Sequence, residues 1–315
     1  MPNGQETMMA NNRAVRLHGY GGPDTVTVDD VPAPRAGPGE VTVRVAVAGM
    51  NPFDRKLRSG ALRDELPLTF PVTLGAELAG TVEALGDGVG GLTVGQRVVG
   101  WTGNLGAYAR LVALGAAALV PVPDGLGDAE AAAVPVAGLT ASQALFEHGG
   151  LVAGRTVLIH GGSGAVGSFA VQLAARAGAT VIATASAPNL AYVRELGAAR
   201  AVDYADAAAL AQVSAVDLVL DLAGRGLDQL WPTLKPGGTL ISTAAFDVAA
   251  RAPASLTARA IQMHADAGQL AALVRRVADG ELRATVGRTV AFDDAAAVIE
   301  GLGAGPPGKT VLAVR

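Results

Sequence analysis

The 315-residue chain contains no cysteine. Disulfides, thiolate nucleophiles and cysteine-ligated metal centres are thereby excluded. Aromatic residues are only 4% of the chain. The histidines number four, His18, His148, His160 and His264, and lie far apart in sequence. Net charge is −4 with no Lys/Arg-rich run, so there is no bulk electrostatic case for nucleic acid or an anionic membrane surface. The most apolar regions are broken, one by Arg110 and another by Pro135 and Gly138. Neither reaches the span of about 20 apolar residues that a membrane helix needs. Met1–Arg13 is polar and lacks the apolar core of a signal peptide. These absences lead to the expectation of a soluble cytoplasmic protein.

What is present is organised around Thr156–Gly178, TVLIHGGSGAVGSFAVQLAARAG. Thr156–His160 is a short, partly β-branched apolar run suited to a buried strand. Gly162-Ser163-Gly164-Ala165-Val166-Gly167 follows as a full G-x-G-x-x-G. Val166, Phe169, Ala170, Leu173 and Ala177 then recur at helical spacing, with Gly178 as a stop. Among 42 glycines the motif alone is weak. Between a strand and a helix it is a dinucleotide fingerprint, whose glycines let a pyrophosphate approach the backbone at a helix N-terminus.

Met1–Asn12 reads as a disordered lead-in. The first third is otherwise mostly β: Glu40–Ala48 alternates with period two, and Phe70–Val99 and Ala107–Val122 are short strands between glycine turns. This predicts a barrel-like domain. From Asp124 the pattern changes. Short helices are expected over Asp128–Ala133 and Gly138–Gly149. Strands follow at Thr156–His160, Thr180–Ala185, Arg200–Tyr204, Asp217–Leu222, Gly238–Thr243 and Arg259–His264, with a helix over Pro188–Leu196. Such alternation predicts a doubly wound parallel sheet. Ala267–Asp279 is an amphipathic helix, and the tail closes with strands at Thr285–Phe292 and Thr310–Val314. The expected division is a discontinuous first domain, 1–125 with 268–315, and a nucleotide domain over 126–267.

Six segments resemble a known family in family order: AGMNPFDRKLRSG (Ala48–Gly60), LGAELAG (Leu74–Gly80), VGQRVVG (Val94–Gly100), GLT (Gly138–Thr140), HGGSGAVGSFAVQLA (His160–Ala174) and GKTVL (Gly308–Leu312). The chain resembles the zinc-free quinone oxidoreductases, the zeta-crystallin-like group of the medium-chain dehydrogenase/reductase superfamily. The resemblance implies an α/β protein: a GroES-like β-rich catalytic domain plus a Rossmann domain. It also implies NADPH as cofactor and a homodimer or dimer-based oligomer.

The cofactor reading rests on residues as well. NAD-preferring Rossmann proteins place a carboxylate about 20 residues past the glycines. Here the second strand ends Ala183-Thr184-Ala185-Ser186, with no acid to repel a 2′-phosphate. Family members often carry a lysine a few residues later, where this chain has Asn189. Ser186, Asn189 and Tyr204 can donate hydrogen bonds, and Arg194 or Arg200 is a candidate for charge unless both are plain surface residues. Gly162–Gly167, Thr184, Leu222, Ala223 and Thr243 complete the expected cofactor contacts. Lys309 either reaches the cofactor or is a surface lysine.

The resemblance places Asn51 and Asp54, on the loop after a strand, beside the nicotinamide and its ribose, and Thr140 against the nicotinamide face. Zinc-dependent relatives hold their catalytic ion with cysteine, histidine and a further cysteine or acid. The matching positions here are Asn51, Ala76 and Val136, which make no tetrahedral N/S site, and Glu77 is a lone carboxylate. Without a metal Lewis acid, hydride delivery to an already electron-poor acceptor, a quinone or α,β-unsaturated carbonyl, is the chemistry that remains accessible. Phe53, Trp101, Asn104, Tyr108 and Phe246 are candidates for the pocket wall or for ordinary packing. Two other readings stand beside this one: an enoyl-thioester or enone reductase of secondary metabolism, and a non-catalytic NADPH-binding protein.

Overall fold

The structure, a computed structural model, describes residues 11–314. Of the lead-in expected over Met1–Asn12, all but Asn11 and Asn12 lies outside the described residues. Those two begin a strand, Asn11–Leu17, paired antiparallel with Val26–Pro32. The described residues divide into two compact units: 11–135 with 288–305 and 310–314, and 136–287 with 306–309.

The first unit is the expected GroES-like β domain. Its central strand, Glu40–Met50, pairs antiparallel with Glu77–Leu85, Leu111–Gly115 and Lys309–Ala313. Glu77–Leu85 in turn pairs with Arg97–Trp101. The period-two pattern of the central strand turns Val41, Val43 and Val45 into a buried core with Leu57, Leu74, Leu78 and Tyr108. A helix, Pro52–Ser59, follows that strand directly.

The second unit is the expected Rossmann domain. Its strands are β1 (Thr156–His160), β2 (Thr180–Ala185), β3 (Arg200–Asp203), β4 (Val216–Asp221), β5 (Leu234–Ser242) and β6 (Thr257–Ala260). All neighbours are parallel and the order is β3-β2-β1-β4-β5-β6. The order reverses between β1 and β4, the switch point where such sheets open a crevice at their carboxyl edge. Inner strands are buried on both sides, which explains why VLI in β1 and LVL in β4 are continuous apolar runs.

The expected boundaries shift at both ends. Residues 126–135 belong with the β unit, because Arg97 donates to the Leu126 carbonyl and Asp128 Oδ1, both at 2.6 Å from Nη2. Residues 268–287 belong with the Rossmann unit. Gln172, on the helix Ala165–Arg176, brackets Arg283 by accepting from its N–H at 2.7 Å and donating to its carbonyl at 3.1 Å. Tyr192 donates to Thr285 Oγ1 at 2.9 Å. These are long-range polar side-chain contacts, which hydrophobic periodicity does not encode. The helix expected over Gly138–Gly149 starts earlier, at Pro135, and passes into a π-helical stretch, Gln143–His148.

Candidate functional site

In the Rossmann unit the glycine turn leads from β1 into the helix Ala165–Arg176, whose N-cap is Gly164 with no side-chain cap. A helix so capped leaves its first-turn N–H groups for a ligand, at the positive end of the dipole. Gly167 must be glycine: a Cβ there would lie 2.2 Å from the Gly161 carbonyl oxygen and 2.7 Å from Gly162 Cα, backbone atoms that cannot yield cheaply. Around Gly164 the nearest atom to a built Cβ is 3.6 Å away and the residue is exposed, so the cradle is open on that side. The donor set fits a pyrophosphate.

The segments after each strand extend the ladder along one edge. Gly162 N–H donates to Thr184 O, Leu222 to His160 O, Thr243 to Asp221 O and Tyr204 to Ala185 O, at 2.8–3.1 Å. Gly162–Gly167, Leu222, Ala223, Thr243, Tyr204 and Ser186 are thus brought to the carboxyl edge of the sheet. Asn189 joins them through a turn in which its N–H donates to Ser186 O at 2.8 Å. Gly308 N–H donates to Ser163 O at 2.9 Å, so Lys309 comes beside the turn although about 140 positions separate them. Lys309 is 2% exposed, which rules out its reading as a surface lysine. Thr140 is buried within the helix Pro135–Ser142.

Thr184, expected among the cofactor contacts, shapes the turn. It is fully buried, and its Oγ1 accepts from Gly161 N–H at 3.1 Å and lies 2.8 Å from His160 Nδ1. Sequence reasoning missed Asp221. It is fully buried; its Oδ1 accepts from the N–H groups of Ala223 and Gly224, both at 3.0 Å, and its Oδ2 from Ser242 Oγ at 2.7 Å. An acid ending the apolar run Leu218–Leu220 and followed by Leu-Ala-Gly was the available signal. Burial lowers the pKa of His160, and the Arg225 charge lowers it further. The Asp221 charge and a bond to the Arg225 backbone act the other way.

In the β unit Asn51 and Asp54 stand not on a loop but at the start of a helix: Asn51 is the N-cap of Pro52–Ser59 and Asp54 its third residue. Asn51 N–H donates to Asp54 Oδ2 at 2.8 Å and Asp54 N–H to Asn51 O at 2.9 Å. With Pro52 at the first position, the Asn-Pro-Phe-Asp run carries a helix-start signal as well as a turn signal. Asn51 Nδ2 donates to Glu77 Oε1 at 3.0 Å, and Glu77 is fully buried. Cross-strand register explains the meeting: Gly49 faces Glu77 and Glu77 faces Trp101. A Cβ on Gly49 would come within 2.6 Å of Glu77 Cγ, so glycine makes the room for that side chain.

Tyr108, offered as pocket wall or as ordinary packing, lies in the core of the β unit. It is fully buried and its hydroxyl donates to Asp54 Oδ2 at 2.6 Å. Burial and the Asp54 and Glu77 charges raise its pKa well above the ordinary phenol value, which keeps it a donor. Phe53 is half-buried against the unit's core, Trp101 is half-buried and Asn104 is exposed. Phe246 belongs to the Rossmann unit and is 45% exposed. At the positions aligned with zinc ligands, Ala76 offers no donor atom and Asn51 is bound to Glu77. Among the described residues no three His, Asp or Glu side chains are grouped to hold a metal, and no helix is long and apolar enough to cross a membrane.

A Rossmann sheet with an open glycine cradle, joined to a GroES-like unit, defines a class of dinucleotide-binding proteins, and comparisons agree. The family model described as "Alcohol dehydrogenase GroES-like domain" matches residues 37–124, and "Zinc-binding dehydrogenase" matches 165–267. A chloroplast envelope quinone oxidoreductase homolog of Arabidopsis thaliana is 36% identical over 61% of this chain and 60% of its own length. The chain thus spans about 60% of such curated relatives. The solved quinone oxidoreductase of Coxiella burnetii is 30% identical, with TM-score 0.88 over 97% of this chain and 100% of that one. A mycobacterial protein solved in complex with NADPH is 29% identical, with TM-score 0.84 over 96% and 99%. The chain belongs to the medium-chain dehydrogenase/reductase superfamily, in its quinone oxidoreductase-like group.

Proposed function

We propose that the chain is an NADPH-dependent, zinc-independent oxidoreductase that reduces a quinone or an α,β-unsaturated carbonyl. The observation that carries this reading is a dinucleotide cradle whose second strand ends without a carboxylate, in a chain with no N/S donor set at the zinc-ligand positions. Its relatives named quinone oxidoreductase and the NADPH complex of a structural neighbour support it.

Gly162–Gly167 and the uncapped helix start would hold the pyrophosphate, and Ser186, Asn189 and Tyr204 the adenosine ribose. Leu222, Ala223, Thr243 and Lys309 would line the path between the adenosine and nicotinamide ends. The bound dinucleotide supplies the hydride. Asn51, Asp54 and Thr140 then act by position: Asp54, fixed by Tyr108 and the Asn51 N–H, holds the helix start and hence Asn51 in place. In the β unit the aromatic candidates Phe53 and Trp101 would stack a flat acceptor and exclude water. On the family resemblance the assembly would be a homodimer, and the composition favours the cytoplasm as its location.

The test is NADPH oxidation with a small panel of quinones, enones and crotonyl thioesters, with and without chelator. Turnover on quinones or enones that survives chelation is expected. Chelator-sensitive turnover overturns the zinc-independent mechanism. Thioester activity far above all others would reassign the chain to enoyl-thioester reduction, and tight NADPH binding without turnover would make it a binding protein.

A further inference from the structure

We propose that Arg225, laid over the ring of Tyr204, is the residue that reads the 2′-phosphate of the adenosine ribose. The inference rests on the NADPH reading and assigns the charge that reading leaves open.

A ribose 2′-phosphate is close to a dianion and calls for a cation at the carboxyl end of β2. The residues there, Ser186 to Asn189, offer a hydroxyl and an amide but no charge. The two arginines suggested by sequence fail on topology. Arg200 opens β3, at the amino edge of a parallel sheet, and its guanidinium donates to the carbonyls of Ala209 at 3.0 Å and Gln212 at 3.4 Å. Arg194 lies in the last turn of the helix Leu190–Glu195, which runs back from the carboxyl edge toward the amino edge.

Arg225 follows the end of β4 by four residues and therefore starts from the carboxyl edge. Its Cζ lies 5.7 Å from the centroid of the Tyr204 ring. Tyr204 comes directly after β3, and its N–H donates to the carbonyl of Ala185, the last residue of β2, at 3.1 Å. Arg225, Tyr204 and Ser186 thus converge where the adenosine ribose of a Rossmann ligand ends. Tyr204 is 45% exposed and Arg225 is exposed, and among the described residues no carboxylate pairs with that guanidinium. A guanidinium held over an aromatic ring keeps its N–H fork for an anion.

The backbone is held while the side chain stays exposed. Asp221 Oδ1 grips Ala223 and Gly224 just before Arg225, and the buried His160 bonds the Arg225 backbone. Two buried side chains so anchor the main chain of an exposed residue, which lowers the ordering cost of binding.

The experiment measures dissociation constants of NADPH and NADH by nicotinamide fluorescence, and of adenosine 2′,5′-bisphosphate and 5′-AMP by calorimetry. The proteins are the full-length chain, Arg225→Gln and Arg225→Lys, each checked by circular dichroism and melting temperature. Wild type is expected to bind NADPH tighter than NADH. Arg225→Gln should lose about 10- to 100-fold for the two 2′-phosphorylated ligands and within about 2-fold for the others, with Arg225→Lys between, since lysine keeps charge but not the planar fork. Arg225→Gln that weakens neither class, or both equally, overturns the assignment and leaves NADPH preference standing. A wild-type chain that does not distinguish NADPH from NADH overturns the NADPH reading itself, and the assignment with it.

Discussion

At the scale of single residues, buried carboxylates do the positioning. Asp221 and Asp54 are each fully buried, and each accepts from nearby N–H and hydroxyl donors. Such bonds offset the cost of burying a carboxylate. Both Asp-to-backbone bonds run over two or three residues and were open to reading from sequence. The Asn51–Glu77 and Tyr108–Asp54 bonds span 26 and 54 positions, and no local signal encodes them. His160 gives a pH prediction. Its folded pKa is lowered below the model-peptide 6.5, chiefly by burial. Below about pH 6.5 the unfolded chain takes up this proton and the native site resists it, so its stabilising contribution, full above that pH, falls as acid is added. The loss in stability on His160→Asn should therefore shrink between pH 7.5 and pH 5.5 in urea unfolding. An unchanged difference would refute this.

At the scale of elements, two helix starts carry the candidate residues, one in each unit. The Asn51–Asp54 cap fixes Pro52–Ser59, and the glycine turn opens Ala165–Arg176. The second was legible because glycine spacing encodes the close backbone approach directly. The first was legible only in part, because Asn-Pro and Asp suit a turn equally well. Gly167→Ala forces a Cβ against the Gly161 carbonyl. It should cost about 1–3 kcal/mol of stability, as overpacking against backbone does. It should also weaken NADPH binding by about 10-fold or more, through displacement of the N–H cradle. Thermal unfolding and fluorescence titration check both, and a variant that binds as wild type would show that the turn has room to spare.

At the scale of the whole molecule, the Rossmann unit should be the part that nucleotide stabilises. NADPH at about 100 times its dissociation constant adds about 2.7 kcal/mol to the state that binds it. The melting temperature of the transition carrying that unit should rise by a few degrees, and more with NADPH than with NADH at equal concentration. Dialysis against chelator should leave the melting temperature unchanged. A fall on chelation would reveal a structural metal and contradict the zinc-independent reading.

The sequence by itself determined the alternation that makes a parallel sheet, the glycine turn that opens its crevice, and the lack of cysteine that bars thiolate chemistry. Each is local: period, spacing and residue type act within a few positions of chain. Only the tertiary structure decided that Lys309 lies beside the glycine turn, that Glu77 meets Asn51, that 268–287 packs with the Rossmann unit, and that Arg225 rather than Arg194 or Arg200 reaches Tyr204. Those meetings depend on strand order and cross-strand register. Register sums contacts over the whole sheet, so no single stretch of sequence carries it.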